Sequence, residues 1–261
     1  MQEKIAIIGA DARQFYLAQN FLQDGFPVLC CGVENMPDTP VETALQDAAV
    51  LALPIPAWSK SSGILPENYW NLLSKDCKIF GGAISPVQNF ETFDYLQDEA
   101  LVTENAVATA EGAIRIVMQN LPTMLTNSKI LVIGYGRIGK LLCDRLHALH
   151  AEVTVSARSE KDFALIRAAG LQSERTGVYL KGLTQYDAII NTVPANVLMP
   201  YHLNSVSPFC LIVDLASGKG GLQTAPSPNL HYIHALALPG IDAPKSIAVQ
   251  MHRMIMKEVF K

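Results

Sequence analysis

The residues best suited to chemistry form the turn Gly134-Tyr135-Gly136-Arg137-Ile138-Gly139, a G-x-G-x-x-G spacing. Glycine at 134 permits a tight turn, glycine at 136 lets the backbone approach a pyrophosphate, and glycine at 139 lets a helix pack closely on a strand. An apolar run at 130–133 precedes the turn, and Leu141, Leu142, Leu146 and Leu149 follow at helical spacing. The turn therefore joins a strand to a helix whose free amides and dipole attract phosphate. Residues 134–139 are predicted to bind a dinucleotide.

The next strand sets which dinucleotide. NAD-selective folds place an acid about 20 residues past the glycines to accept from the ribose hydroxyl. Here Ala157 holds that place, followed by Arg158 and Ser159 and preceded by Ser156. A guanidinium offers a planar fork of donors to a phosphate, which an acid would repel. NADP is expected over NAD, with NAD as the alternative cofactor; a solvated loop charge is the plainer explanation of Arg158. Two units further on, Thr192-Val193-Pro194 ends another strand, where its backbone is expected to pass the nicotinamide ribose. A purely structural turn is the competing explanation.

These motifs need a scaffold of alternating strands and helices. In the first half, apolar runs at 4–9, 28–31, 50–53, 78–80 and 101–103 read as strands, continuous rather than alternating, as buried parallel strands are. The first helix carries Phe15, Ala18, Phe21 and Leu22 and ends at Gly25. A long helix is predicted over 105–121 with Asn105 as its cap and Val107, Ala110, Ile114, Val117, Met118 and Leu121 on one face. Further strands are predicted at 153–155, 188–191, 211–214 and 232–235, and a last helix from Pro244. The fold class is α/β: two Rossmann-like, doubly wound parallel-sheet domains joined by a long helix, the C-terminal helix returning to the first. The expected boundaries are 1–108 with 243–261 for the substrate-side domain and 109–242 for the NAD(P)-binding domain. Ligands then belong at the carboxyl ends of the strands, with reaction in the cleft between the domains.

Composition agrees. The 261 residues are 49% hydrophobic and 17% charged, enough for two cores, and a net charge of −4 gives no field for nucleic acid. No run reaches the roughly 18 apolar residues of a membrane span. The opening shows no signal peptide, and Cys30, Cys31, Cys77, Cys143 and Cys210 lack metal spacing, so buried thiols in a soluble cytoplasmic protein are expected. His231 and His234 lie three apart on a strand, pointing to opposite faces, and no metal is assigned.

Several stretches together resemble the A subunit of dipicolinate synthase. They are Lys4-Ile-Ala-Ile-Ile-Gly9-Ala-Asp11-Ala-Arg13-Gln14, close to that family's G-G-D-A-R-Q opening; Thr109-Ala-Glu111-Gly112; Ala157-Arg158-Ser159; and Ile190-Asn191-Thr192-Val193-Pro194. Leu211-Ile-Val-Asp214-Leu-Ala-Ser217 with Gly220-Gly221, then Leu238-Pro239-Gly240 and Ala243-Pro244-Lys245, complete the ordered set. The resemblance implies NAD(P)-dependent oxidation of a dihydropyridine dicarboxylate, or its hydrated tetrahydro precursor, to dipicolinic acid during sporulation, in the mother-cell cytoplasm. It implies as partner the synthase's flavoprotein-like B subunit, and a homo-oligomer is expected. The stretches Pro56-Ala-Trp58-Ser-Lys60, Ile84-Ser-Pro-Val87, Ile241-Asp242 and Ser246-Ile-Ala-Val249 depart from the family's wording.

A planar dicarboxylate needs donors at both ends. Arg13, past the first strand, suits one carboxylate, with a surface salt bridge as the alternative. Lys219, in Ser217-Gly-Lys-Gly-Gly221, suits the other, against a solvated lysine; Lys245 has similar standing. Thr109 and Glu111 are placed near the start of the long helix. There Glu111 is expected either to take the ring proton or, more simply, to satisfy the helix dipole. Ser85 and Asn105 are lesser candidates, and Asp214 is expected to cap a turn. Aromatisation drives hydride departure, so no general base is named. Two other functions fit the architecture: an NAD(P)-dependent 2-hydroxy or amino acid dehydrogenase, and a non-catalytic NADP-responsive subunit. The loop after Asp214 lacks the arginine expected of the hydroxy acid enzymes.

Overall fold

The computed structural model describes residues 3–57, 67–179 and 182–259. Trp58, Ser59 and Lys60 of the divergent first loop lie outside them. The chain divides into two compact units, Met1–Asn105 with Pro239–Lys261, and Ala106–Leu238.

The first unit is built on β1 (Ile5–Ile8), α1 (Ala12–Gln23), β2 (Val28–Cys31), α2 (Val41–Leu45), β3 (Val50–Ala52), β4 (Lys78–Gly81) and β5 (Glu91–Asp94). Its sheet is wholly parallel, in the order β2-β1-β3-β4-β5. Ile5, Ile7, Leu51 and Ile79 are fully buried, each worth roughly 1.5–3 kcal/mol. Asp11 caps α1 by accepting from the Arg13 amide, and Gly25, at φ +86°, turns the chain out of the helix. The buried stripe of α1 is Gln14, Leu17, Ala18 and Phe21; Leu22, expected on it, is 44% exposed.

Two first-half expectations are overturned. Residues 101–103 are not a strand but part of α3 (Glu99–Asn120). The helix starts six residues before Asn105 because the Asp98 carboxylate accepts from the Leu101 amide at 2.8 Å. The fifth strand is instead Glu91–Asp94, too polar and short for an apolar run to reveal, as an edge strand can be. Ala110, Ile114 and Val117 of α3 are buried, as is Leu121 just past its end, whereas Met118 is 62% exposed.

The second unit continues with β6 (Lys129–Ile133), α4 (Arg137–Ala148), β7 (Glu152–Ala157), α5 (Glu160–Ala168), β8 (Gln172–Arg175), β9 (Ala188–Asn191), α6 (Pro200–Leu203), β10 (Leu211–Asp214) and β11 (His231–His234). The six strands are parallel in the order β11-β10-β9-β6-β7-β8. This is the doubly wound dinucleotide-fold order, with its reversal between β6 and β9. Helix α7 (Leu238–Asp242) leads into α8 (Pro244–Val259), which packs on α1 in the first unit: His252 meets the Phe21 ring at 4.6 Å and Asp24 at 3.0 Å.

All five cysteines are free; four are buried and Cys31 is half-buried. Burial pushes the thiols of Cys77, Cys143 and Cys210 up to about 12, so they stay protonated. Among the described residues no helix is long and apolar enough to cross a membrane.

Candidate dinucleotide cleft and flanking residues

The glycine turn follows β6, and its three glycines serve different ends. Gly134 has φ +99°, and a Cβ there would stand 2.5 Å from Thr192 Oγ1 and 2.7 Å from Val193 Cγ2. A Cβ at Gly139 would stand 2.1 Å from the Gly134 carbonyl oxygen, so α4 rests directly on the turn. At Gly136 a Cβ would meet nothing within 4 Å. Gly136 also caps α4 without a side chain, leaving the first amides of the helix to another acceptor.

Across the strand reversal stands the end of β9. The Thr192 hydroxyl and amide both donate to the Ile133 carbonyl, each at 2.9 Å. Asn191 brackets the next residue: its Nδ2 donates to the Val193 carbonyl at 3.1 Å, and its Oδ1 accepts from the Val193 amide at 3.0 Å. Between the two strand ends opens a cleft of about 670 Å³. Gly134, Tyr135, Gly136, Thr192, Val193 and Pro194 line it on one side, with Ala157, Arg158 and Ser159 at the end of β7. Of the turn residues, Arg137, Ile138 and Gly139 are not part of the lining and form the first turn of α4. Burial pushes the Tyr135 phenol up, and the Lys140 ammonium lies 5.5 Å from its ring centre.

Two lining residues have no counterpart among the sequence candidates, Asp162 and Thr176. Thr176 follows β8, a polar edge strand that periodicity does not reveal; its hydroxyl lies 2.7 Å from that of Ser156. Asp162 was legible as the last residue of a Ser-x-x-Asp cap. The Ser159 hydroxyl accepts from the Asp162 amide at 3.1 Å and donates to its carboxylate at 2.7 Å, starting α5. The arginines nearby differ. Arg175 pairs with Glu160 at 2.9 Å and lies over Phe163, whereas the exposed Arg158 side chain makes no ion pair among the described residues. Arg158 thus offers a guanidinium to an anion at the mouth of the cleft.

The remaining candidates are placed as follows. Arg13 is 4% exposed, so it is not a surface salt bridge. Its Nε donates to both Asp11 carboxylate oxygens, at 2.8 and 3.0 Å, its Nη2 pairs with Asp11, and Nη2 donates to the Ile55 carbonyl at 2.8 Å. Glu111 is the thirteenth residue of α3, far from the helix start, so it does not satisfy the dipole. It is exposed and ion-paired with Arg145 at 3.7 Å. Thr109, likewise mid-helix, is half-buried, and Asn105 is a helix-interior residue rather than a cap. Lys219, Lys245 and Ser85 are exposed. Asp214 is fully buried and does more than cap a turn: its carboxylate accepts from Asn191, Ala216, Gly221 and Tyr232.

Residues 4–92 match the family model for the N-terminal domain of the dipicolinate synthase A subunit. The chain is 27% identical to the A subunit of dipicolinate synthase from Bacillus subtilis (strain 168), covering 97% of this chain and 95% of that protein. The crystal structure of the B. subtilis protein aligns with a TM-score of 0.82 at 26% identity, covering 99% of this chain and 96% of that one. Its Bacillus halodurans counterpart aligns with a TM-score of 0.84 at 23% identity, covering 99% and 98%. An L-alanine dehydrogenase shares the fold at a TM-score of 0.68 and 12% identity, covering 98% and 88%. The resemblance to the dipicolinate synthase A subunit that the motifs carry is borne out along nearly the whole chain, and the fold is dehydrogenase-like.

Proposed function

We propose that this chain, similar from end to end to the A subunit of dipicolinate synthase, oxidises dihydrodipicolinate, or its hydrated tetrahydro precursor, to dipicolinate. NADP is the preferred oxidant and NAD the lesser one. The observation that carries the reading is the cleft at the strand reversal, with an open glycine on one wall and Arg158 at its mouth.

The residues present fit a dinucleotide. The open position at Gly136 leaves room for a diphosphate against the backbone, and the uncapped first turn of α4 supplies donors to it. Gly134, Tyr135 and Gly136 with the amides of Arg137, Ile138 and Gly139 would hold the diphosphate. Ala157, Arg158 and Ser159 would hold the adenosine ribose and its 2′-phosphate. The Ser159 hydroxyl already donates to Asp162, so the phosphate contact falls on Arg158. Thr192, Val193 and Pro194 would line the nicotinamide ribose. A bound oxidised nicotinamide supplies the hydride acceptor.

Loss of one hydride and one proton converts the dihydropyridine ring to a pyridine; the hydrated precursor also loses water. The ring gains aromaticity, so the chain's task is to orient the dicarboxylate and exclude water. Lys219, exposed on its loop, is assigned to a substrate carboxylate. Arg13 is assigned the same kind of contact through Nη1, the guanidinium nitrogen left without a protein hydrogen bond among the described residues. Glu111, paired with Arg145, is not needed as a base; Thr109 stays a minor candidate. The flavoprotein-like B subunit, a homo-oligomeric state and action in the mother-cell cytoplasm of a sporulating cell complete the proposal.

The substrate class is tested by calorimetric titration of pyridine-2,6-dicarboxylate in saturating NADPH. Binding that Lys219→Ala weakens supports it; no binding by the wild-type protein at millimolar product removes it.

A further inference from the structure

Asp214 closes β10 with a carboxylate that is 0% exposed and has no ion pair among the described residues. An unpaired buried carboxylate is costly unless donors saturate it. Four do. Asn191 Nδ2 and the Ala216 amide donate to Oδ1 at 2.9 and 3.0 Å; the Gly221 amide and the Tyr232 hydroxyl donate to Oδ2 at 2.6 and 2.9 Å.

Two of these donors, Ala216 and Gly221, lie in the loop after β10, whereas Asn191 ends β9 and Tyr232 lies in β11. Ala216 and Gly221 bracket the segment that carries Lys219. The fit admits no side chain: a Cβ at Gly220 would lie 2.5 Å from Asp214 Oδ2, and one at Gly221 would lie 2.1 Å from Asn191 Nδ2. Asn191 ends β9 immediately before the 192–194 turn, and its side-chain amide grips Val193 at both N–H and carbonyl. A carboxylate accepts only, so Asp214 fixes which end of the Asn191 amide faces it and leaves Oδ1 for the Val193 amide. Val193 and Thr192 line the cleft and fill the space beside Gly134.

We infer that Asp214 is a positioning residue that couples the Lys219 loop to the cofactor-lining turn 192–194 through the Asn191 amide. The inference rests on the dinucleotide reading of the cleft. Asp214 itself does not line the cleft, so its effect on binding passes through Asn191. An amide in its place turns one acceptor oxygen into a donor that faces donors, which frees Asn191 to flip.

NADPH affinity is measured by fluorescence titration for the wild-type protein, Asp214→Asn and Tyr232→Phe, with thermal unfolding of each. The backbone amide resonances of Thr192 and Val193 are recorded without ligand. Asp214→Asn is expected to weaken NADPH about tenfold or more, the scale of one charge-assisted hydrogen bond. Tyr232→Phe, which keeps the carboxylate and three of its donors, is expected to weaken NADPH several-fold while remaining folded and shifting the Val193 amide. It carries the test if Asp214→Asn does not fold. Unchanged affinity together with an unmoved Val193 amide in folded Tyr232→Phe overturns the coupling alone. A wild-type protein that binds neither NADPH nor NADH overturns the coupling and the dinucleotide reading together.

Discussion

Gly139 rests on the carbonyl oxygen of Gly134, so close that a Cβ at 139 would stand 2.1 Å from it. Both partners in this contact are main chain, so no side chain can swing aside. Gly139→Ala must push α4 off the turn, and overpacking of this kind costs about 1–3 kcal/mol or more. Urea unfolding should show that loss even without ligand.

Gly136 is the opposite case. It has room for a methyl group and an extended backbone that alanine adopts readily, φ −78° and ψ −162°. Gly136→Ala should leave stability within about 0.5 kcal/mol of wild type. Its methyl group occupies the space assigned to the diphosphate, so NADPH affinity should fall at least tenfold in calorimetric titration. Equal affinity would place the diphosphate elsewhere.

Arg158→Glu should abolish the preference for NADP. The lost charge-assisted contact is worth about 1.5–3 kcal/mol, roughly ten- to a hundredfold in relative affinity. NADPH and NADH dissociation constants measured side by side decide it, and an unchanged ratio would mean Arg158 is only a solvated charge.

Much of this cleft was legible because its residues obey local rules. Glycines between an apolar run and a helical pattern, an arginine where an acid is usual, and a Pro after a strand all announce themselves within a few positions. The two-domain α/β class followed from the same alternation. What stayed hidden was set by tertiary context. Glu91–Asp94 and Gln172–Arg175 pair as sheet edges with little apolar content, and with the second went Thr176. Leu101-Val102-Thr103 looks like a strand locally, but the Asp98 cap and the long α3 override it. Arg13 shows why a charge in sequence is ambiguous: its burial and its pairing with Asp11 exist only once β1 and α1 have formed.

That pair has its own consequence. With side chains 5% and 15% exposed, Arg13 and Asp11 form a nearly buried ion pair. Arg13→Ala strands the Asp11 carboxylate and should cost about 3 kcal/mol, as broken buried pairs do. Asp11→Asn combined with Arg13→Gln should recover part of that loss in denaturant titration; additive losses would show that the two residues do not act as a pair.

Two histidines make stability pH-dependent in one direction. Burial lowers the pKa of His202, whose Nδ1 accepts from the Met199 amide at 3.2 Å while Nε2 lies 3.1 Å from the Gly177 carbonyl. Burial also lowers that of His252, with Asp24 opposing the shift in part. The folded state thus binds fewer protons than the unfolded chain in mild acid. Their contribution is complete above the ordinary value of 6.5 and is lost as pH falls through the folded pKa values. Imidazole NMR titrations should place both midpoints below 6.5; a midpoint above it for either would reverse the sign.

The most direct measurement is anaerobic turnover of enzymatically generated dihydrodipicolinate with NADP, following dipicolinate and NADPH absorbance with and without the flavoprotein-like partner. One NADPH formed per dipicolinate, from this chain alone or together with that partner, is the expected result. Dipicolinate appearing no faster than in the uncatalysed oxidation, in a protein that binds NADP tightly, would contradict the proposed oxidation.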